Sequence, residues 1–190
     1  MAGSTDFQDD PIGAAMSKFA RLIRGVAWFS SLGEQLSAAE LADAERYVAA
    51  LGFPAAAIAT VDDWEEAESC VRNPDWNTAW WEAEEQLRVA LLDEAGAILP
   101  QDELMRALTR ATQAASDVVH GAAAVAAARS GVADQGLVRA AAGAATQACY
   151  QAALVLVTDG DDEHPFALKF RLFEAGRWPL GIVGQTFNIF

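Results

Sequence analysis

An alanine-rich stretch from Gln101 to Val157 constrains the fold more than any other part of the chain. Its apolar residues recur every three or four positions, which is the period of an amphipathic α-helix. A short break at residues 130–133 divides the stretch into two helical patterns. Small side chains let two packed helices approach closely and leave little room between them. We therefore predict an antiparallel alanine-rich helix pair at the centre of the fold, with any ligand pocket elsewhere.

The end of the first pattern has no polar face. Residues 121–128 consist only of glycine, alanine and valine. A helix that is apolar on all sides is usually covered on more than one of them. This segment is therefore predicted to lie at the centre of the bundle or to form a contact between two copies of the chain.

The flanking sequence adds several further helices. Ser37 and Glu40 form the pattern of a capping box, in which each residue bonds the backbone of the other at a helix start. Other helical patterns begin at Pro11, at Asp62 or Asp63, at Asn73-Pro74 and at Pro165. The first of these patterns extends to Gly33 and the fourth helix to Gly96, whereas residues 54–61 are predicted to be a connector with one helical turn.

The last residues differ from the rest of the chain. Two short apolar runs flank Gly184-Gln185, and glycine at the first position of a two-residue loop is what a type II′ hairpin turn requires. The alternative is an extended tail packed on the helices. The predicted fold is mainly α: a compact bundle of six to seven helices around the alanine-rich pair, with a C-terminal hairpin or extended tail.

The length of the chain, 190 residues, fits one such domain. We predict a disordered tail at residues 1–10, the helical bundle at 11–176, and the hairpin or tail at 177–190, packed on the bundle. The start of the chain has no basic region followed by an apolar run, which predicts a cytoplasmic protein. Cys70 and Cys149 fall inside helical patterns and are expected to be reduced, buried thiols.

The formal net charge of −14 limits the choice of partners. Nucleic acids and anionic membranes need a positive surface, so neither is expected as a partner. A protein with a basic surface, or a second copy of the chain, is the predicted partner. The charge also keeps an apolar, alanine-rich protein soluble.

Four carboxylates form two Glu-x-x-Glu pairs on successive predicted helices: Glu65 with Glu68, and Glu82 with Glu85. Residues three apart share a helix face, so the four could converge on divalent cations. The pattern over residues 65–85 resembles the Glu-x-x-Glu and Glu-x-x-Asp pairs of the all-α NTP pyrophosphohydrolases, although Glu85 stands where that family has Asp. The resemblance implies a Mg²⁺ or Mn²⁺ site that acts on a nucleotide triphosphate; apart from this site, no cofactor is expected.

The spacing of neighbouring charges argues against a metal site on these helices. Glu68 precedes Arg72 by four residues, and Glu84 precedes Arg88 by four, which is the spacing of intrahelical ion pairs on a solvated surface.

Other polar residues are candidates for ligand binding. Asp117 and His120 are spaced to share a metal ion, while Arg171 and Arg177 stand near the C-terminus among aromatic residues. Together with His164 and Lys169, these arginines form a small cationic set that could hold an anion. The preferred interpretation is that the C-terminal cations neutralise acidic helices of the same chain.

Three functions follow from these features. The first is a non-catalytic binding or interaction module, such as an accessory, inhibitor or immunity-like protein with an acidic surface. The second is the divalent-metal-dependent pyrophosphohydrolase-like enzyme. The third is a small-molecule-binding or enzymatic bundle with an aromatic pocket, in which Asp117, His120 or Arg171 supplies the polar groups. Six tryptophans could line such a pocket as well as fill a core. No phosphate-binding glycine motif, nucleophile elbow or zinc signature is present in the sequence to favour an enzyme.

Overall fold

A computed structural model describes residues 11–190, so the tail predicted at residues 1–10 lies outside the described part. Within residues 11–190 the chain forms eight helices and three strands. The helices are α1 (Pro11–Gly25), α2 (Ala38–Ala50), α3 (Trp64–Val71), α4 (Thr78–Ile98), α5 (Gln101–Ser116), α6 (Val119–Arg129), α7 (Gln135–Val157) and α8 (Pro165–Glu174). The strands are β1 (Ala57–Thr60), β2 (Pro179–Val183) and β3 (Thr186–Ile189). The predicted fold class, a mainly helical bundle with C-terminal strands, is confirmed.

Helix α7 lies at the centre of the larger hydrophobic core. It packs against α5, α6 and α8 and also contacts α1 and α4. Its alanines at positions 141, 145 and 148 are fully buried, so the alanine-rich helices form the predicted central packing unit. By length and composition alone α7 could cross a membrane, but 61% of its most apolar window is buried inside the protein. Its place in the core accounts for its apolar composition.

The first alanine-rich pattern is not one continuous helix. A turn at Asp117 and Val118 separates α5 from α6. Helix α6 buries Val119, Ala123 and Ala127, whereas Val125 on its other side is 51% exposed. A central position for this segment is therefore wrong, because only one face is covered. A contact between copies of the chain stays a prediction.

The C-terminal hairpin is confirmed and belongs to a three-stranded sheet. β2 and β3 pair in antiparallel fashion around a turn in which Gly184 has a positive φ of 60°. β1 pairs in parallel with β3, from Ala57 opposite Thr186 to Thr60 opposite Ile189. The prediction of a helical connector at residues 54–61 was wrong. This strand has only four residues, and its partner lies at the far end of the chain, so no local pattern reveals the pairing.

The sheet encloses a second, smaller core together with α2 and α8. Residues of this core include Tyr47 from α2, Leu168 and Leu172 from α8, and Phe187 from β3, all at most 1% exposed. Trp80, near the start of α4, closes one side of it. Helix α4 therefore lies at the junction between the small core and α7.

Local signals set most helix starts. Ser37 and Glu40 form the predicted capping box, with the Glu40 backbone N–H donating to Ser37 Oγ and the Ser37 N–H donating to Glu40 Oε2. Asp63 caps α3 as predicted. Three boundaries differ from the predictions: α4 begins after the cap residue Asn77 rather than at residues 73–74, α1 ends at residue 25 rather than 33, and α4 continues two residues beyond Gly96. An isolated glycine is tolerated within a helix, so Gly96 does not end this one.

Candidate functional site

An open pocket of about 470 Å³ lies where the start of α4 meets α8 and β2. This volume falls within the range of small-molecule sites, roughly 300–1,000 Å³. The lining residues are Trp76, Asn77, Thr78, Trp80, Trp81, Glu84, Ala144, Lys169, Pro179 and Leu180. The walls are therefore mainly aromatic and apolar, with one acidic and one basic side chain among them.

Two of the tryptophans form a fixed wall. The rings of Trp76 and Trp80 stack with centroids 5.8 Å apart and planes 14° from parallel. Both rings pack against Gly181 of β2, where an added Cβ would lie 2.4 Å from Trp76 and 2.7 Å from Trp80. The Trp76 indole N–H donates to the carbonyl of Val71 at 3.1 Å, which fixes the orientation of the ring. The third tryptophan, Trp81, is 60% exposed and stands at the mouth of the pocket.

A buried carboxylate lies at the inner end of the pocket. Glu84 Oε1 accepts hydrogen bonds from Lys169 Nζ at 2.5 Å and from Gln151 Nε2 at 2.7 Å. Glu84 Oε2 accepts a hydrogen bond from the hydroxyl of Tyr47. Helices α2, α4, α7 and α8 each supply one member of this network, so it connects the small core with the large one. We call these residues, Tyr47, Glu84, Gln151 and Lys169, the buried polar cluster.

The surroundings favour the ionised form of Glu84. Burial opposes ionisation, but the positive charge of Lys169 and the three hydrogen bonds outweigh it, so the pKa of Glu84 is lowered. Burial and the negative charge of Glu84 raise the pKa of Tyr47 well above its usual value. The Trp80 indole acts in the opposite direction on that hydroxyl, although its N–H lacks hydrogen-bond geometry to any acceptor within residues 11–190. At neutral pH the cluster therefore contains a carboxylate and a neutral phenol.

The carboxylates of the predicted metal site have other environments. Glu65 and Glu82 are exposed, Glu68 forms an ion pair with Arg72, and Glu85 accepts two hydrogen bonds from the guanidinium of residue 88, at 2.8 and 2.5 Å. Among residues 11–190, no group of three or more His, Cys, Asp or Glu side chains is placed to hold a metal ion. The Mg²⁺ or Mn²⁺ site stays a prediction that these contacts do not support.

One of the two predicted intrahelical ion pairs was wrong. The pair of Glu68 with Arg72 is present, but Glu84 does not pair with Arg88. Glu84 faces the protein interior together with Trp80, which is one helical turn earlier, so Arg88 pairs with Glu85 instead. Tertiary packing decides this choice, since both spacings are compatible with an exposed ion pair.

The four predicted ligand-binding residues do not form one site. Asp117 pairs with Arg24 at 3.6 Å, and His120 is exposed at the second position of α6. Arg171 makes two hydrogen bonds to the carboxylate of Asp43, at 2.9 and 3.0 Å.

Arg177 has a structural role. It is buried and donates to Glu40 Oε1 at 2.7 Å and to the backbone carbonyls of residues 31, 34 and 35. Because Glu40 also completes the capping box of α2, Arg177 connects that helix start to the loop before it. Together with Lys169 and Arg171, it supports the interpretation that the C-terminal cations neutralise acidic helices of the same chain.

The two cysteines are free thiols with raised pKa values. Burial raises the pKa of Cys149 to about 12. Burial, together with the nearby charge of Glu66, raises the pKa of the half-buried Cys70. Both side chains are therefore protonated at neutral pH, which disfavours nucleophilic chemistry at either.

Helical periodicity could have revealed that two members of the buried polar cluster lie on apolar helix faces. Glu84 stands four residues after Trp80 and seven before Leu91, so all three share one helix face. Lys169 likewise stands three residues after Phe166 and four before Phe173, so it shares an apolar face of its helix with them. A carboxylate and an amine on apolar faces are the pattern of a buried ion pair, but their contact cannot be read from spacing.

Comparison with known protein families, with curated proteins and with solved structures found no match for this chain.

Proposed function

We propose that the protein is a non-catalytic binding protein that takes a small aromatic molecule in the pocket formed by Trp76, Trp80 and Trp81. The observation that carries the proposal is a pocket of ligand-like volume whose walls include three tryptophans and whose inner end holds a buried ion pair. Aromatic walls bind flat rings through stacking and edge-to-face contacts. A small number of fixed polar groups then orients the ligand.

The tryptophans of this protein fall into two groups. Trp28, Trp64 and Trp178 are at most 5% exposed and belong to the large core. Trp81 is 60% exposed, although a ring of this size would gain free energy by burial. A ligand that packs on Trp81 from within the pocket would bury part of this surface.

Of the three functions predicted from the sequence, this one is a specific case of the small-molecule-binding bundle with an aromatic pocket. The charged groups that line the pocket are Glu84 and Lys169, instead of the candidates Asp117, His120 and Arg171. A basic protein partner, self-association and a cytoplasmic location stay predictions that the pocket neither requires nor opposes.

Indole is a suitable first probe, because its ring matches the flat aromatic class that such walls select. Calorimetric titration and thermal unfolding should be carried out on the full chain, on Trp81→Ala and on Ile98→Ala. Ile98 is the matched control, since it is 47% exposed on the same helix but does not line the pocket. Indole should raise the melting temperature of the wild type by mass action.

Trp81→Ala should raise the Kd for indole by about 2- to 10-fold, which corresponds to the free energy of one aromatic contact. Ile98→Ala should bind indole as the wild type does. If indole gives neither heat nor a melting shift with the wild type up to its solubility limit, the proposed function is wrong. Equal loss of affinity in both variants would also contradict it.

A further inference from the structure

The inner end of the aromatic pocket has little hydrogen-bond acceptor capacity left. Glu84 Oε1 already accepts from Lys169 and Gln151, and Oε2 accepts from Tyr47. A carboxylate offers about four lone-pair sites in total. The remaining buried acceptor without a partner, Gln151 Oε1, belongs to a residue that does not line the pocket.

The pocket does, in contrast, have hydrogen-bond donors without acceptors in the described part of the chain. The ammonium of Lys169 carries three N–H groups, and within residues 11–190 its one acceptor is Glu84 Oε1. Lys169 lines the pocket and its side chain is 9% exposed, so water has limited access to the remaining donors. An unmet donor in such a place selects for a ligand group that can accept a hydrogen bond.

The side chain of Asn77, which also lines the pocket, already has partners. Asn77 caps α4, with its Oδ1 accepting from the backbone N–H of Trp80 at 3.0 Å, while its Nδ2 contacts the carbonyl of Gly184 at 3.5 Å. Among the lining side chains, donor capacity therefore remains at Lys169 and at the indole N–H of Trp80, which has no acceptor within residues 11–190; of the two, Lys169 carries the charge.

The local charge does not favour a cationic ligand. The chain carries −14 overall, which by itself would attract cations. Inside the pocket, however, the charges of Glu84 and Lys169 offset each other at 2.5 Å. A ligand ammonium would find the Glu84 carboxylate already bonded to three donors, and it would lie near the Lys169 ammonium, whose repulsion is screened less here than in water. The groups inside the pocket thus disfavour a cationic ligand, whereas the total charge of the chain would attract one.

From these observations we infer that the pocket selects planar aromatic molecules that carry a neutral hydrogen-bond acceptor, such as a ring-bound carbonyl, and disfavours aromatic molecules that carry an ammonium group. The acceptor bonds Lys169 Nζ while the ring contacts Trp76, Trp80 and Trp81. This inference rests on the proposed function, since it names the ligand class of the same pocket.

Three probes with one ring system test the selection on the full chain. 3-Acetylindole carries the carbonyl, 3-isopropylindole has a side group of similar size without it, and tryptamine carries an ammonium. Calorimetric titration should give 3-acetylindole a Kd about 10-fold lower than 3-isopropylindole, as expected for a hydrogen bond to a charged group. Tryptamine should bind more weakly than 3-isopropylindole.

The double variant Glu84→Gln/Lys169→Met removes the donor and its counter-charge together, so that no buried charge is left unpaired. In this variant the advantage of 3-acetylindole should fall below about 2-fold, while the Kd of 3-isopropylindole should change little. Lys18→Met, which removes an exposed lysine from α1, is the matched control and should keep the advantage. If the double variant does not fold, the three-probe comparison on the wild type still decides the ligand class.

The outcomes separate the two proposals. If neither indole derivative binds the wild type, the aromatic pocket itself is wrong as a binding site. If both bind with equal affinity, or tryptamine binds best, the pocket stands and the inferred acceptor selection is overturned. An advantage of 3-acetylindole that persists in the folded double variant would overturn the assignment to Lys169.

Discussion

Lys169 Nζ lies 2.5 Å from Glu84 Oε1, and the two side chains are 9% and 11% exposed. They come from α8 and α4, and the hydrogen bonds of Glu84 to Tyr47 and Gln151 extend the contact to α2 and α7. A buried pair of this kind contributes little net free energy compared with an apolar pair of similar volume. Loss of one partner is costly, however, because the remaining charge stays buried without compensation.

Lys169→Met is therefore expected to lower the free energy of unfolding by about 3–5 kcal/mol, since it leaves the Glu84 carboxylate unpaired. The double variant Glu84→Gln/Lys169→Met should recover most of this loss. Urea unfolding of the wild type, the single variant and the double variant measures both values. A loss of under about 1 kcal/mol in Lys169→Met would mean that the pair is solvated rather than buried.

The lowered pKa of Glu84 makes stability depend on acidity. The folded pKa lies below the ordinary value of 4.5, so the stabilising contribution is complete above that value and is lost as the pH falls through the folded pKa. The double variant lacks this carboxylate and should lose less stability than the wild type between neutral pH and about pH 3. Urea midpoints at a series of pH values test this. Parallel curves for the two proteins would contradict the prediction.

His164 gives a second pH dependence at higher pH. Burial lowers its pKa below 6.5, against the charges of Asp161 and Glu94, and Nδ1 accepts the backbone N–H of Phe166 at 3.1 Å at the start of α8. Because the folded state disfavours the charged imidazole, its contribution is complete above pH 6.5 and decreases as the pH falls below that value toward the folded pKa.

His164→Asn keeps a side-chain acceptor at the helix start but cannot titrate. The variant should therefore lose less melting temperature than the wild type between pH 7 and about pH 5.5. Differential scanning calorimetry at both pH values gives the comparison. An identical decrease in the two proteins would show that imidazole protonation does not affect the fold.

The parts of this fold that the sequence predicted are those that local signals determine. Helical periodicity identified the alanine-rich core of α7, and the capping box at Ser37 fixed the start of α2, because both depend on residues within a few positions of each other. The hairpin was predicted for the same reason, from Gly184 and its neighbours. The strand β1 was not, since it pairs with β3 at the far end of the chain, outside the range of any local pattern.

The candidate site was harder to predict, because long-range contacts create it. Glu84 was assigned to Arg88 on spacing, yet its partner is Lys169, 85 positions away. The burial of Trp80 beside Glu84 turns this face of α4 inward, and no spacing within α4 reveals which element covers it. The tryptophans were recognised as pocket candidates, but their polar neighbours were sought at Asp117, His120 and Arg171.

Gly181 should be indispensable for the wall of the pocket. Its φ is 124°, and an alanine Cβ would lie 2.4 Å from the ring of Trp76. Gly181→Ala should lower the free energy of unfolding by about 2 kcal/mol or more, from overpacking and backbone strain together, and should weaken indole binding. Gly184→Ala is the matched control, since φ there is also positive, 60°, but no atom lies within 4 Å of the added Cβ.

Urea unfolding and indole titration of these two variants separate the effects. Gly184→Ala should show only the cost of the strained backbone, with indole affinity unchanged. If Gly181→Ala is no less stable than Gly184→Ala, the packing of the Trp76–Trp80 pair on β2 is not what holds the wall in place.

Replacing Gly143 with alanine should stabilise the protein, in contrast to the same substitution at Gly181. It is exposed in the interior of α7, and an added Cβ would meet no atom within 4 Å. Glycine in a helix interior costs about 0.5–1 kcal/mol relative to alanine, so Gly143→Ala should stabilise the protein and raise the melting temperature by about 1–4 °C. Thermal unfolding at two protein concentrations measures this. A destabilisation that grows with concentration would show that this face of α7 packs against a second copy of the chain, since only a close neighbour would lack room for the added methyl group.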